Sequence, residues 1–139
     1  MQVCPYLFYE GRCEEALAFY KKAVGAEINS VVRYKDCPEP PPPGTLPPGS
    51  DNKVMHADFT VDQSRIYASD GHCSAKAAYQ GFSLSLTVAN AAEADRSFAA
   101  LSDQGQVTMP LCKTFFSPRF GMLTDRFGVG WMIYVAPQT

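Results

Sequence analysis

His56 and Asp58 stand two positions apart in the stretch Lys53 to Val61. Residues i and i+2 on a strand share a face, roughly 7 Å apart at Cα. A carboxylate at that distance tunes an imidazole, which suits His56 to act as a general base or as a polar anchor for a ligand. The same spacing also suits a strand histidine that is merely hydrogen-bonded or solvated. Thr60 extends this polar stripe, whereas Met55, Ala57, Phe59 and Val61 form the opposite, apolar one. Tyr67 and Ser69 follow on the next strand, and Ser83, Ser85 and Thr87 alternate with Leu84, Leu86 and Val88 further on. Together these side chains offer an imidazole, a carboxylate, a phenol and several hydroxyls. The five cysteines are scattered and form no C-x-x-C pair, which argues against a zinc site or a disulfide framework. His72 and Cys73 are adjacent, so on an extended chain their side chains diverge.

The elements that must carry these residues repeat. Val3 to Tyr9 has strand character, and Cys13 to Val24 places Leu17, Tyr20 and Val24 on one helical face, closed by Gly25. Ala26 to Tyr34, Lys53 to Val61 and Arg65 to Ser69 read as three further strands. Between them, residues 36–52 hold seven of the eleven prolines, which excludes a helix interior or a central strand. An extended, polyproline-like surface loop, serving as a flap or a dimer arm, is expected there. Gly71 to Gln80 reads as a linker. Phe82 to Val88 then opens a second round: a strand, a helix capped by Asn90 with Glu93 three residues on, Gly105 as its C′ residue, and strands near 106–113, 118–124 and 129–135.

The expected fold is therefore α+β: one domain, 1–139, of two βαβββ modules, 1–70 and 80–136. A helix covers the outer face of each curled sheet. The more polar inner faces are expected to line a shared ligand cleft. The chain has 139 residues, is 46% hydrophobic and carries net charge −2, so a basic nucleic-acid-binding face is not expected. No apolar run approaches a membrane span, and Met1 to Gly11 lacks the pattern of a signal peptide, so a cytoplasmic location is expected.

The doubled pattern resembles the vicinal oxygen chelate superfamily, which includes glyoxalase I, the bleomycin and fosfomycin resistance proteins and the extradiol dioxygenases. The resemblance rests on "GRCEEALAFYKKAVGAE", "SLTVANAAEAD" and "TDRFGVGWMIYV". With "PYLFYEGRCEEALAFY" and "YQGFSLSL" it is most similar to the PhnB-like subgroup, customarily labelled 3-demethylubiquinone methyltransferase. No glycine-rich turn of a nucleotide-binding sheet is present, so methyltransferase activity is not expected. The resemblance places the superfamily's metal ligands near Pro5, at Ser83 and at Met132, none of them a good donor for a divalent cation. No metal and no cofactor are expected. Met132 is then either an adaptable ligand wall or core filling, and Trp131 and Ile133 should be core. Relatives pair modules between chains, which implies a homodimer. The reading is a metal-independent small-molecule-binding protein whose cleft includes Tyr67, Ser69, Ser83, Ser85 and Met132. Its rivals are an isomerase or lyase on a small oxygenated substrate with His56 as base, assisted by Asp58, and a protein that sequesters a drug or metabolite.

Overall fold

A computed structural model describes residues 1–39 and 41–137. Two compact units divide the chain, Met1–Ala77 and Ala78–Thr139. In the first, β1 (Tyr6–Phe8), α1 (Cys13–Val24), β2 (Glu27–Arg33), β3 (Val54–Val61) and β4 (Ser64–Ser69) form a four-stranded mixed sheet in the order β1-β4-β3-β2. The second repeats this plan with β5 (Leu84–Val88), α2 (Ala91–Ser102), β6 (Gln106–Cys112), β7 (Phe120–Thr124) and β8 (Gly130–Val135), in the order β5-β8-β7-β6. In each sheet the first strand runs parallel to the last, and the remaining pairs are antiparallel. No helix among the described residues is long and apolar enough to cross a membrane.

Each helix covers one sheet face. Leu7, Ala57, Phe59, Ile66 and Ala68 are buried beneath α1, which supplies Ala16, Leu17 and Tyr20. The Tyr20 and Phe59 rings stack at 5.9 Å, and the Tyr9 hydroxyl donates to that of Tyr20 at 3.0 Å. In the second unit Trp131, Ile133, Val135 and Leu123 are buried, as are Ala94, Phe98 and Leu101 of α2. Gly121 is a true close approach: a Cβ there would lie 2.8 Å from the Phe98 ring.

Helix ends account for several buried polar groups. The residue before α1, Arg12, provides no side-chain cap. The buried Asp70, just past β4, does so from a distance: its carboxylate accepts from the N–H of Gly11 (2.9 Å), Cys13 (2.8 Å) and Val54 (2.7 Å). α2 is capped locally, with Asn90 accepting from the N–H of Glu93 at 2.9 Å. The Glu93 side chain reaches back to the N–H of Ala89, one residue beyond the usual capping-box partner. Gly105 is not the C′ residue of this helix: the helix ends at Ser102 with Asp103 as its C-cap, so Gln104 takes that position, with φ 61°. Gly105 is instead fixed by crowding, since a Cβ would lie 2.2 Å from the Thr124 carbonyl oxygen.

Other expectations change for local reasons. β1 begins at Tyr6 rather than Val3, after Pro5, which has no N–H to give a ladder. β5 begins at Leu84, so Phe82 and Ser83 precede it. The strict alternation read along β3 breaks at Met55, where the pairing with β2 slips between Val32 and Arg33, and Val54 thereby turns into the core beside Ala57. The proline-rich segment is not one extended run. Its described residues include turns, with Thr45 N–H donating to the Pro42 carbonyl and the Ser50 hydroxyl to the Pro47 carbonyl. The 71–80 segment is also more than a linker. Its start folds around Glu10, whose carboxylate accepts from the N–H groups of His72 and Ser74 and from the Ser74 hydroxyl.

Candidate functional site

Residues paired in register point to the same side of a sheet. Tyr6 pairs with Tyr67, Tyr67 with Asp58, and Asp58 with Ser30, while Phe8 pairs with Ser69 and His56 with Val32. The first sheet therefore shows Tyr6, Phe8, His56, Asp58, Tyr67 and Ser69 on the face opposite α1. Three rings meet there. Tyr6 lies 5.5 Å from His56 and 5.9 Å from Tyr67 between centroids, and His56 lies 5.4 Å from Tyr67. Phe8 stacks on Tyr6 at 5.0 Å. Tyr6 and Phe8 remain 40% and 50% exposed, and His56 and Tyr67 are half-buried, so these rings form a surface rather than a core.

The Tyr6 hydroxyl and His56 Nδ1 are 2.9 Å apart. Burial holds the Tyr6 phenol above its ordinary value, so it stays protonated at neutral pH. A phenol that donates to Nδ1 fixes the proton on Nε2, and His56 then meets a ligand as a hydrogen-bond donor. If the ring instead donates from Nδ1, Nε2 is left basic. Asp58 is engaged elsewhere. Its carboxylate is 3.2 Å from the Arg65 guanidinium and accepts from the Asn29 amide at 3.3 Å. Arg65 is held above its ordinary range, first by the Tyr67 hydroxyl and then by Asp58. Ser69 is 3% exposed, and its hydroxyl accepts from the Gly71 N–H at 2.8 Å, which makes it a support rather than a ligand contact.

The face opposite α2 in the second unit is different. Ser85 pairs with Met132, Met132 with Met122, and Met122 with Met109. Met132 is half-buried and points away from α2, whereas Trp131 and Ile133 point into the core. Ser85 is exposed; Ser83 lies just before β5 and packs beside Gly130, where a Cβ would come within 2.9 Å of its hydroxyl oxygen. The site residues read from the sequence thus fall on two sheets: His56, Asp58, Tyr67 and Ser69 on the first, Ser83, Ser85 and Met132 on or beside the second.

The positions to which the resemblance assigns metal ligands, near Pro5, at Ser83 and at Met132, carry no carboxylate or imidazole. Pro5 has no donor side chain, and its carbonyl accepts from the Tyr67 N–H at 2.9 Å. Ser83 offers a neutral hydroxyl, and the row that contains Met132 holds thioethers and one hydroxyl, with no carboxylate or imidazole. Two of the cysteines, Cys13 and Cys73, offer little nucleophile. Cys13 is buried, and burial and then the Asp70 carboxylate push its thiol well above the ordinary range. Burial also raises Cys73, the reverse of activation.

Tyr6, Phe8 and Arg65 went unassigned in the sequence. Period-2 alternation along Tyr6-Leu7-Phe8 carries the signal for the first two, because it separates both from the buried Leu7. Their neighbours on β4 depend on a parallel pairing across about sixty residues, which no local pattern encodes.

Known proteins share this fold. Residues 1–134 match the family model described as 3-demethylubiquinone-9 3-methyltransferase. The chain is 36% identical to protein YjdN of Escherichia coli (strain K12) over 145 aligned residues, covering 99% of this chain and 97% of that protein. Protein PA1353 from Pseudomonas aeruginosa is 38% identical with a TM-score of 0.85, over 99% of both chains. The PhnB protein from Bacillus cereus is 30% identical with a TM-score of 0.80, over 98% of this chain and 100% of that one. Likeness of fold alone extends to the fosfomycin resistance protein FosX from Listeria monocytogenes, at 10% identity and a TM-score of 0.64, over 99% of this chain and 93% of that one. With eight strands and two α-helices in this order among the described residues, and a family match over nearly its whole length, the chain belongs to the 3-demethylubiquinone-9 3-methyltransferase (PhnB-like) family, on the glyoxalase/bleomycin-resistance fold.

Proposed function

We propose that this protein binds a small oxygenated molecule without a metal ion, on the face of the first sheet built by Tyr6, Phe8, His56 and Tyr67. The observation that carries the reading is the Tyr6–His56 hydrogen bond of 2.9 Å, set in a half-exposed group of rings on the side of the sheet that the helix leaves open. It presents one oriented imidazole nitrogen in an aromatic frame, the composition of a ligand-binding surface. Asp58 is spent on Arg65 and Asn29, so the face offers a polar anchor more than a charge relay. The donor-poor positions Pro5, Ser83 and Met132 support metal independence. The absence of a nucleotide-binding sheet argues against methyl transfer from S-adenosylmethionine, despite the family's name.

A second reading makes His56 the base of an isomerase or lyase. It is favoured by the half-exposed imidazole, and it requires that Tyr6 accept from Nδ1 so that Nε2 is basic. A sequestering role for a drug or metabolite uses the same surface and differs only in the ligand. The experiment is a thermal-shift screen of small carboxylates, keto acids and aromatic drugs in chelator, followed by turnover assays on the hits. A ligand that stabilises the wild-type chain and loses its effect in Tyr67→Ala or His56→Ala supports the proposal. Hits that keep full affinity in both variants refute it. A homodimer is part of the same proposal, supported by the 101% exposed Phe115 and by Val31 and Val107, 38% and 44% exposed on the edge strands β2 and β6.

A further inference from the structure

The second sheet carries a feature that the His56 face does not explain. Three of the five methionines stand in one row across it: Met109 on β6, Met122 on β7 and Met132 on β8, each paired in register with the next, with Ser85 of β5 completing the row. All three methionines are half-buried, and no charged side chain stands in the row. The adjacent row on the same face is aromatic. Phe120 pairs with Tyr134, and Tyr134 with Thr87. Phe116 lies nearly parallel to Tyr134, at 16° and 6.3 Å, and edge-on to Phe120 at 5.0 Å. A ring of the chain itself thus already stacks on this face at one end.

We propose that the Met109–Met122–Met132 row is a subsite for a flat aromatic group, with the ring lying on the thioethers and its oxygen substituent directed to Ser85 or Thr87. Thioethers are polarisable, rotate freely and make favourable contacts with aromatic rings. Three adjacent strands span about 10 Å, which fits a two- or three-ring system. Three side chains in a row present far less surface than the roughly 800 Å² per partner of a stable protein interface, so the row by itself is the size of a small-molecule contact. The inference rests on the small-molecule part of the reading above, not on the His56 face, and names a class of ligand.

The five methionines make the test direct, because Met1 and Met55 lie outside the row. The full chain is labelled with ¹³C at the methionine methyls and titrated with 2-naphthol, and with its saturated analogue decahydro-2-naphthol. Upfield ring-current shifts are expected at Met109, Met122 and Met132, with Met1 and Met55 unmoved. The saturated analogue should bind about two- to tenfold more weakly. Met122→Leu and Met132→Leu, nearly volume-conserving, should each weaken 2-naphthol by a similar factor and leave the fold intact. Equal shifts at all five methyls, equal binding of both probes, or no response at millimolar probe would overturn the subsite. Following the His56 imidazole in the same titration separates the two readings. A response at His56 with a silent methionine row removes this subsite alone. A response along the row with a silent His56 keeps it and removes the His56 face.

Discussion

At the scale of the residue, the question is which His56 nitrogen carries the proton. With Tyr6 donating, His56 is an Nε2–H donor, and Tyr6→Phe should shift the ring toward a mixture of tautomers, seen in its ¹⁵N chemical shifts. His56→Ala then separates the functional readings. A binding protein should lose about 1 kcal/mol of ligand affinity. An enzyme using His56 as base should lose about 10²–10⁴-fold in rate. Tyr6 also titrates with a definite sign. Burial raises it above its ordinary value of 10.0, so above that pH the unfolded chain releases its proton while the folded one retains it. The unfolded state then binds fewer protons, and stability falls as pH rises past about 10. Tyr6→Phe should remove that part of the alkaline loss, measured by urea unfolding at stepped pH. The strand and facing of His56, Asp58 and Tyr67 were readable because alternation with Ala57, Phe59, Ile66 and Ala68 separates two faces. Their partners were not, since Tyr6 and Arg65 reach the site through strand pairing.

At the scale of the element, α1 depends on a residue remote in sequence. Asp70 accepts from Gly11, Cys13 and Val54 in place of a cap that Arg12 does not supply. Asp70→Ala leaves these donors without that acceptor, and we expect a loss of about 3 kcal/mol or more in denaturant unfolding, with the binding face affected only through the fold. The turn before β8 is held in the same way. Asp125 is buried and accepts from Phe127 N–H (2.9 Å), Val129 N–H (3.0 Å) and the Trp131 indole (2.9 Å). Cys13 sits in the first turn of α1, where a thiol ordinarily ionises more readily. Burial and Asp70 outweigh that tendency and raise it above its ordinary value of 9.0. It should therefore resist a thiol-directed reagent until the chain unfolds, whereas the exposed Cys112 reacts at once. Both helices, Gly25 as a left-handed close and the Asn90 cap were readable, because each is encoded within a few consecutive residues. The Asp70 cap and the Met55 bulge were not, since each answers to a neighbour distant in sequence.

At the scale of the molecule, the repeated order β1-β4-β3-β2 and β5-β8-β7-β6 makes two versions of one plan with opposite surface chemistry. One open face holds an imidazole and phenols, the other thioethers and rings. The repeat itself was readable from the helix and strand periods, while the contrast between faces emerges only when rows are read across strands. A chain of this kind should sediment at about twice its 15.2 kDa mass at micromolar concentration, and a monomer would contradict the proposed homodimer. The most direct test of the central claim is calorimetric titration of a screened ligand into chelator-stripped protein, beside the same titration with added Zn²⁺, Mn²⁺ or Ni²⁺. The account predicts equal affinity in every case and a clear loss of affinity in His56→Ala. Binding that appears only when metal is restored, and that is indifferent to His56, would contradict it.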